Sequence, residues 1–153
     1  MKKNEKQQLK TFNSIYKEYD ELYRDLAKKA GLSLAAFTLL YTIRNSGQSW
    51  TQKDFCEQWS MSKQTINSAL KPLLDSEVIS FEFIEGNRKI KRIILTSKGE
   101  SFLQQKIDPI IQAEEKSFTH LTSAEQSIFF SLLRKYLDGL EEEMNPLLQE
   151  QKG

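Results

Sequence analysis

Three helix-start signals, followed by a change in the period of the apolar residues, constrain this chain more than any other feature of its sequence. Ser33, Thr51 and Ser62 each follow an apolar residue and precede an amphipathic stretch, where their hydroxyl groups can cap a helix. The three predicted helices span about residues 34–46, 52–59 and 63–76. The alternating stretch VISFEFI and its partner IKRIIL, joined by Glu85–Lys89, then predict a β-hairpin.

The second and third of these helices, with the hairpin after them, predict a winged helix-turn-helix whose second helix enters the major groove of duplex DNA. The apolar residues of that helix fall on one stripe, which leaves six polar positions on the opposite face. Solvated faces ordinarily mix carboxylates with lysines, whereas all six of these residues can hydrogen-bond to bases or phosphates. With the cap Ser62, the predicted DNA contacts of this helix are Lys63, Gln64, Thr65, Asn67, Ser68 and Lys71.

Positive charge is concentrated around the hairpin, although the whole chain of 153 residues carries a formal net charge of only +1. Between Ser62 and Lys98 there are seven cations and four anions, a local net charge of +3. We expect Arg88, at the hairpin tip, to enter the minor groove, because a narrow minor groove attracts arginine. We expect Lys89, Lys91 and Arg92 to contact phosphates, with one of the last two instead covering the other face of the hairpin.

A long helix is predicted on each side of this unit. Apolar residues recur at steps of three and four from Leu9 to Ala30, a pattern typical of a narrow packing seam. The seam fits packing within one subunit or against a second chain, and its half-polar tyrosines favour the second chain.

The C-terminal part of the chain predicts two further helical segments. Thr96 caps a helix that breaks and restarts at Asp108, and a last helix follows the capping box of Thr122 and runs to about Met144. We expect Pro146 to stop it. The predicted dimer contacts are Leu9, Phe12, Tyr16 and Tyr19 in the first helix and Leu133, Tyr136 and Leu140 in the last.

The composition argues against several other classes of protein. One histidine and one cysteine leave no catalytic triad and no ligand-spaced metal site, so we expect no enzyme activity, no metal and no cofactor. The cysteine, Cys56, is expected to be a buried small hydrophobe. No run of about 18 apolar residues is present, and the first residues lack the apolar stretch of a secretory signal. We therefore expect no membrane span and a cytoplasmic location.

One segment carries a more specific pattern. It reads TQKDFCEQWSMSKQTINSALKPLLDSEVISFEFIEGNRKIKRIILTSKG, and its most distinctive part is NRKIKRIILTSKG. This segment resembles the winged helix of the MarR family of bacterial transcriptional regulators, whose wing motif is Asp-Arg-Arg-x-x-x-x-x-Leu-Thr-x-x-Gly. The resemblance covers about residues 32–103. It implies an obligate homodimer with interlocking terminal helices, two winged helices that bind a palindrome, and in many members a small-molecule pocket beside the DNA-binding lobe.

Three positions depart from the family pattern. Asn87 replaces the aspartate that pairs with arginine at the wing tip, and Pro72 lies inside the helix predicted to enter the groove, where it can kink that helix. Glu77 stands where the family has glycine. A left-handed glutamate would cost roughly 1 kcal/mol, so we expect the helix to end differently.

The sequence therefore predicts a mostly α (α+β) fold, with a winged helix-turn-helix lobe over residues 32–98 and dimerisation helices over 1–31 and 99–150. The predicted function is sequence-specific binding of double-stranded DNA by a homodimer that represses transcription at a palindromic operator. The alternative is a winged-helix module that binds other proteins and has no operator of its own.

A small-molecule effector is the third expected partner, after DNA and a second copy of the chain. Tyr19, Tyr23, Tyr41 and Arg44 are candidates for its pocket, with Arg44 holding an anion. Core or interface packing accounts for the tyrosines equally well.

Overall fold

A computed structural model of the protein describes residues 3–84 and 87–149, with side chains over 4–84 and 91–148. Over these residues the chain forms seven α-helices and one three-stranded antiparallel sheet. Helices α1 to α7 span Lys3–Lys29, Leu34–Ser46, Gln52–Gln58, Lys63–Asp75, Ser97–Lys106, Asp108–Phe118 and Ser123–Gln149. Strands β1 to β3 span Trp50–Thr51, Ile79–Ile84 and Asn87–Leu95. The predicted mostly helical fold with a winged helix-turn-helix is confirmed.

The predicted helix starts are also confirmed, and they explain why these segments form helices. Each cap hydroxyl accepts a hydrogen bond from the backbone N–H group three residues further on, at Ser33, Thr51, Ser62, Thr96 and Thr122. Thr51 and Thr122 form full capping boxes with Asp54 and Glu125. The rings of Trp50 and Phe55 stack with their centroids 4.8 Å apart, which fixes how the chain enters α3.

The chain divides into two compact units, one ending at Ile111 and the other beginning at Gln112. In the first unit, helices α2 to α5 and the base of the hairpin enclose the core. Helix α1 reaches this core with its C-terminal part, where Ala27 is buried and the ring of Tyr23 lies edge-on to that of Phe37. The largest fully buried side chains are Phe55, Leu39, Leu40, Ile66, Ile79, Leu103 and Ile107.

The sheet has the order β1-β3-β2, with β3 in the middle. Strand β3 begins at Asn87, three residues earlier than predicted, so the connection to β2 is shorter than the predicted five residues. The residues of that connection, Glu85 and Gly86, lie outside the described residues. The sequence does not predict β1, because two residues are too few to show a period.

Helix α7 continues through Pro146 to Gln149, so the prediction that this proline stops the helix is wrong. Proline removes one backbone donor, and the apolar period continues beyond it at Leu147. Helix α4 likewise runs through Pro72. The predicted break before Asp108 is confirmed, since α5 ends at Lys106 and α6 begins at Asp108.

Two further expectations concern burial and membranes. Cys56 is half-buried at the margin of the core rather than fully buried. None of the described helices is by itself long and apolar enough to cross a membrane; α1 and α2 meet that test of length and composition only as a pair, bent by 90°.

Candidate nucleic-acid interface

Helix α4 presents one buried and one exposed face. Its apolar residues Ile66, Ala69, Leu70 and Leu73 are 0–2% exposed and anchor the helix to the core. The opposite face is exposed at all of the predicted contacts, which are Ser62, Lys63, Gln64, Thr65, Asn67, Ser68 and Lys71. The anchoring stripe therefore fixes which side chains the helix offers to a partner.

These exposed side chains differ in whether they already make hydrogen bonds or ion pairs within the protein. The Ser62 hydroxyl accepts the Thr65 N–H at 3.0 Å and lies 2.8 Å from the Thr65 hydroxyl, so both hydroxyls serve the helix start. Four others make no side-chain hydrogen bond or ion pair within the described part of the chain: Lys63, Gln64, Ser68 and Lys71. Those four side chains are therefore available to bind another molecule.

Asn67 is engaged by a residue that sequence reasoning missed. Gln52, the first residue of α3, donates from Nε2 to Asn67 Oδ1 at 2.6 Å, and the same nitrogen lies 3.5 Å from the backbone oxygen of Lys63. No periodicity marks Gln52, because its role depends on where α3 crosses α4. The capping signal at Thr51, which starts α3, is the only sequence feature that points to this position.

The base of the wing lies next to this contact. Strand β1 pairs Thr51 with Arg92 of β3, while Glu82 of β2 pairs with Arg92 from the other side. Arg92 is half-buried, and its Nε is buried without a hydrogen-bond partner among the described residues. Thr51 directly precedes Gln52. The start of α3 therefore contacts both the cationic strand β3, through Thr51, and helix α4, through Gln52.

Lys91 lies on the opposite face of β3 from Arg92. Its Nζ lies 5.1 Å from the ring centroid of Phe83 and 5.7 Å from that of Phe81. Such a cation–π contact contributes about 0.5–1 kcal/mol at an exposed site. Phe81 and Phe83 are exposed because the hairpin extends beyond the core that buries Ile79, and Lys91 therefore covers this aromatic surface.

The DNA contacts predicted at the tip of the wing are not tested by the structure. The side chains of Asn87, Arg88 and Lys89 lie outside the described residues. The assignment of Arg88 to the minor groove and of Lys89 to phosphate therefore stays a prediction.

The end of α4 corrects one expectation. Glu77 has a φ of 58°, so it does adopt the left-handed conformation. Its N–H donates to Leu74 O at 2.9 Å, and the N–H of Val78 donates to Leu73 O at 2.9 Å, which is the Schellman ending normally built with glycine. Leu73 and Val78 are both buried, and their burial offsets the cost of the left-handed glutamate. The prediction of a different helix end is wrong.

Thr96 connects the wing to α5. Its Oγ1 donates to the backbone oxygen of Glu77 at 2.5 Å and accepts the N–H of Gly99 at 2.9 Å. The Leu-Thr-x-x-Gly part of the wing motif thus holds the end of α4, the wing and α5 together.

Arg44 does not have the role expected for it. Its Nε and Nη2 donate to the two carboxylate oxygens of Asp108 at 2.7 and 2.5 Å, and its Nη1 donates to Glu100 Oε1 at 2.6 Å. The hydrogen bonds from Arg44 lower the pKa of Asp108. The hydrogen bonds to Asp108 and Glu100 in turn raise the pKa of Arg44. Two anions already bind this guanidinium, so the prediction that Arg44 holds an effector anion is wrong.

The three candidate tyrosines are brought together in a row of rings. Tyr19 lies 4.7 Å from Tyr23, Tyr23 lies 6.4 Å from Phe37, and Phe37 lies 6.1 Å from Tyr41, measured between ring centroids. This row packs α1 on α2. Within the described residues, no group of three or more histidines, cysteines and carboxylates could hold a metal ion.

Helices α1 and α7 each carry exposed apolar residues. On α1, Leu9 and Phe12 are 38% exposed and Tyr16 and Tyr19 about 60%. On α7, Leu133 and Tyr136 are exposed and Leu140 is half-buried. An open groove of about 560 Å³ follows the same helix, lined by Leu132, Lys135, Tyr136, Gly139, Leu140 and Glu143. Exposed apolar side chains grouped along a helix in this way are typical of protein interfaces.

Comparisons with known proteins bear on the fold. No protein-family model matches the chain, and no curated protein sequence does. A MarR family regulator from Neisseria meningitidis is 24% identical, with a TM-score of 0.70 over 94% of this chain and 98% of that one. A MarR family regulator from Listeria monocytogenes, complexed with 26mer DNA, is 21% identical, with a TM-score of 0.66 over 95% and 94%. Staphylococcus aureus MarR, in complex with salicylate and kanamycin, is 17% identical, with a TM-score of 0.68 over 91% and 93%.

These structures have nearly the same length as this chain, and each matches more than nine-tenths of it. The resemblance inferred from NRKIKRIILTSKG is therefore confirmed at the level of structure. The chain has the fold of the MarR family of winged helix-turn-helix transcriptional regulators.

Proposed function

We propose that this protein is a transcriptional regulator that binds double-stranded DNA in a sequence-specific way. The observation that carries the proposal is the exposed face of α4, on which every predicted contact is polar or cationic and none is a carboxylate. Gln and Asn can hydrogen-bond to base edges, and Lys63 and Lys71 can neutralise phosphates. The complex of the similar Listeria protein with DNA supports it.

In this proposal α4 enters the major groove and the wing contacts the adjacent backbone. The strand pairing of Thr51 with Arg92 keeps the base of the cationic strand beside the start of α3, close to the contact between Gln52 and Asn67. We assign Arg88 to the minor groove and Lys89 and Arg92 to phosphates. Lys91, whose Nζ lies over the rings of Phe81 and Phe83, is instead the residue that covers the other face of the hairpin.

The functional protein in this proposal is a homodimer. Apolar side chains such as Leu9 and Leu133 are exposed on long helices, and a second copy of the chain is the partner that would cover them. Residues 1–31 and 99–150 would then serve dimerisation, and residues 32–98 DNA binding. Two winged helices related by a twofold axis would bind a palindromic operator, with half-sites about one helical turn apart.

The remaining parts of the proposal come from likeness to similar proteins. Structures of such proteins include one with salicylate and kanamycin, and one described as showing regulation of DNA binding by 6-hydroxynicotinic acid. We extend the proposal to a cytoplasmic repressor that a small-molecule effector releases from DNA. No catalytic step is part of it.

The test is selection of bound duplexes from a random-sequence pool at physiological salt, with wild type and two charge variants. Ser68→Glu places a carboxylate on the exposed face of α4 without touching the core, so it should abolish selection. Ser101→Glu adds the same charge on the exposed side of α5 and should leave selection intact. Recovery of a palindrome by wild type supports the proposal.

The alternative, a module that binds proteins only, makes the opposite prediction. Wild type would then enrich no sequence, and Ser68→Glu would bind the pool as wild type does. Any weak association with DNA would also be equal for all sequences and would vanish with added salt.

A further inference from the structure

Gly139 lies in the apolar surface of α7, and no contact among the described residues requires a glycine there. It occupies the interior of a 27-residue helix, where glycine is a poorer helix former than every residue but proline. A Cβ atom added to it would meet no atom within 4 Å among the described residues outside the surrounding turns of α7. Glycine in such a place allows a second backbone to come close.

The open groove along α7 follows the same face of the helix. Leu132, Tyr136, Gly139 and Glu143 line it, and they recur at steps of four, three and four, so they lie on one side of the helix. Leu132 is 61% exposed and Tyr136 is 36% exposed. This face therefore combines exposed apolar side chains with a point at which the helix is narrow.

Helix α6 contacts a different side of α7. The ring centroids of Phe118 in α6 and Phe130 in α7 lie 5.5 Å apart. Phe130 precedes Gly139 by nine residues, which is two and a half turns of an α-helix, so these two residues lie on opposite sides of α7. The face that carries Gly139 is therefore not the one that α6 packs against.

The charges beside Gly139 indicate the partner that fits this face. Lys135 lies four residues before Gly139 and Glu143 lies four residues after it, and both line the groove. Both side chains are exposed, and neither makes an ion pair within the described part of the chain. A second α7 that crossed antiparallel at Gly139 would bring opposite charges together at both positions. The face is thus complementary to itself, as twofold symmetry requires of a dimer contact.

We propose that the α7 helices of two protomers cross antiparallel at Gly139, where Lys135 of each protomer pairs with Glu143 of the partner subunit. This inference rests on the homodimer of the proposed function. It adds the point where the helices cross and the charges that select the direction of the crossing. A parallel crossing would place lysine beside lysine and glutamate beside glutamate, which like-charge repulsion opposes.

Two charge reversals in the full-length chain test the pairing. In a homodimer of Lys135→Glu, carboxylates face each other at both contacts, and in a homodimer of Glu143→Lys, ammonium groups do. A mixed dimer of the two variants has opposite charges at both contacts. If like charges weaken each homodimer about tenfold, mixed dimers should make up about nine-tenths of an equimolar mixture, instead of the roughly one half that random pairing gives.

Native mass spectrometry measures these fractions after subunit exchange, with an affinity tag on one of the two chains to separate the dimers by mass. The control is an equimolar mixture of tagged and untagged wild type, which should give roughly one half of mixed dimer because both chains are equivalent. A variant that failed to fold would form no mixed dimer, so enrichment of the mixed dimer also shows that both chains are folded.

Gly139→Ala tests the close crossing. Alanine favours the helix, so a glycine without a role in dimerisation predicts a dimer at least as tight as wild type. At a close crossing the two added methyl groups have no room, and the Kd of the dimer should rise about tenfold or more. Fluorescence-detected sedimentation measures this Kd. Ser131→Ala, on the polar side of α7, is the control and should dimerise as wild type does.

A mixed-dimer share of one half or less overturns the pairing, and a Gly139→Ala dimer as tight as wild type overturns the close crossing. Either result overturns the inference. The proposed homodimer would still stand in both cases, with its contact on another surface, because wild type would remain dimeric. A monomeric wild type would remove the homodimer and the inference together.

Discussion

A Cβ atom added to Gly99 would lie 1.9 Å from the backbone oxygen of Val78 and 3.0 Å from its carbonyl carbon. Gly99 is the last residue of the wing motif and lies in the first turn of α5, which starts directly against the beginning of β2. The obstacle is backbone, which cannot move aside as the tip of a side chain can. The glycine of this motif therefore allows close contact between α5 and the strand that leads into the wing.

Gly99→Ala should lower the free energy of unfolding by about 1–3 kcal/mol, the usual cost of forcing an extra carbon into a filled space. The measurement is urea unfolding followed by circular dichroism. Ser97→Ala, in the same turn but exposed, is the matched control and should change stability by less than about 0.5 kcal/mol. If the two variants were equally stable, the close approach of Gly99 to the backbone of Val78 would be contradicted.

Glu77→Gly should raise the free energy of unfolding by about 1 kcal/mol. The residue has a φ of 58°, where a side chain is strained and glycine is not. Glu77→Ala is the control: it removes the exposed contact between Glu77 and Lys98 but keeps the strained backbone. A gain in stability from alanine equal to that from glycine would show that the charge, rather than the backbone, is responsible.

Much of this fold follows from local signals that the sequence displays directly. The caps at Ser33, Thr51 and Ser62 determine helix starts through hydrogen bonds three residues away, so they could be predicted without tertiary information. The same holds for the alternation that puts Ile79 inside the core. Glu77 could not be predicted in this way, because burial of Leu73 and Val78 outweighs its local preference against the left-handed conformation.

The site was predictable only in part. The exposed face of α4 follows from its buried stripe, because helical geometry places the two on opposite sides. The contact of Gln52 with Asn67 and the binding of Arg44 by Asp108 join residues 15 and 64 positions apart, and no periodicity encodes such contacts. For that reason the sequence did not show that Asp108 and Glu100, rather than an effector anion, bind Arg44.

Asp108→Asn should lower the free energy of unfolding at pH 7 by about 1–2 kcal/mol, because it weakens a charged, bidentate contact with Arg44 that is only partly exposed. The pKa of Asp108 is lowered below its ordinary value of 3.8, mainly by the hydrogen bonds from Arg44. Its stabilisation is therefore complete above pH 3.8 and is lost as the pH falls through the folded-state pKa.

Urea unfolding of wild type and Asp108→Asn at pH 7, 5, 4 and 3 tests this. The gap between the two proteins should be constant down to about pH 4 and should narrow below it. Asp138→Asn, in the exposed pair with Arg134, is the control and should cost less than about 0.5 kcal/mol at every pH. A gap that widens in acid would contradict the role assigned to Asp108.

Leu133→Glu should convert the protein from a dimer to a monomer at micromolar concentration, since it places a charge on the apolar surface of α7 that is proposed to meet a second copy. Sedimentation equilibrium measures the mass. Ser131→Glu introduces the same charge on the side of α7 that carries Arg134 and Asp138, and it should remain dimeric. A monomeric wild type would rule out the proposed homodimer.

Lys71→Ala should weaken binding to every DNA sequence by a similar factor and should reduce the slope of log K against log salt by about 1 per protomer. Lys71 is exposed on α4 and has no partner in the described part of the chain, so a phosphate is the group it is free to bind. The measurement is fluorescence anisotropy with one operator and one unrelated duplex at several salt concentrations.

The matched control for that experiment is Lys53→Ala. Lys53 is also an exposed lysine of the helix-turn-helix, but it lies on α3 and pairs with Glu57 at 3.5 Å. Its removal should leave both affinity and salt slope unchanged, because no phosphate is assigned to it. If Lys71→Ala changed the preference among sequences while keeping the wild-type salt slope, Lys71 would be a base contact, and phosphate binding by this helix would have to come from Lys63.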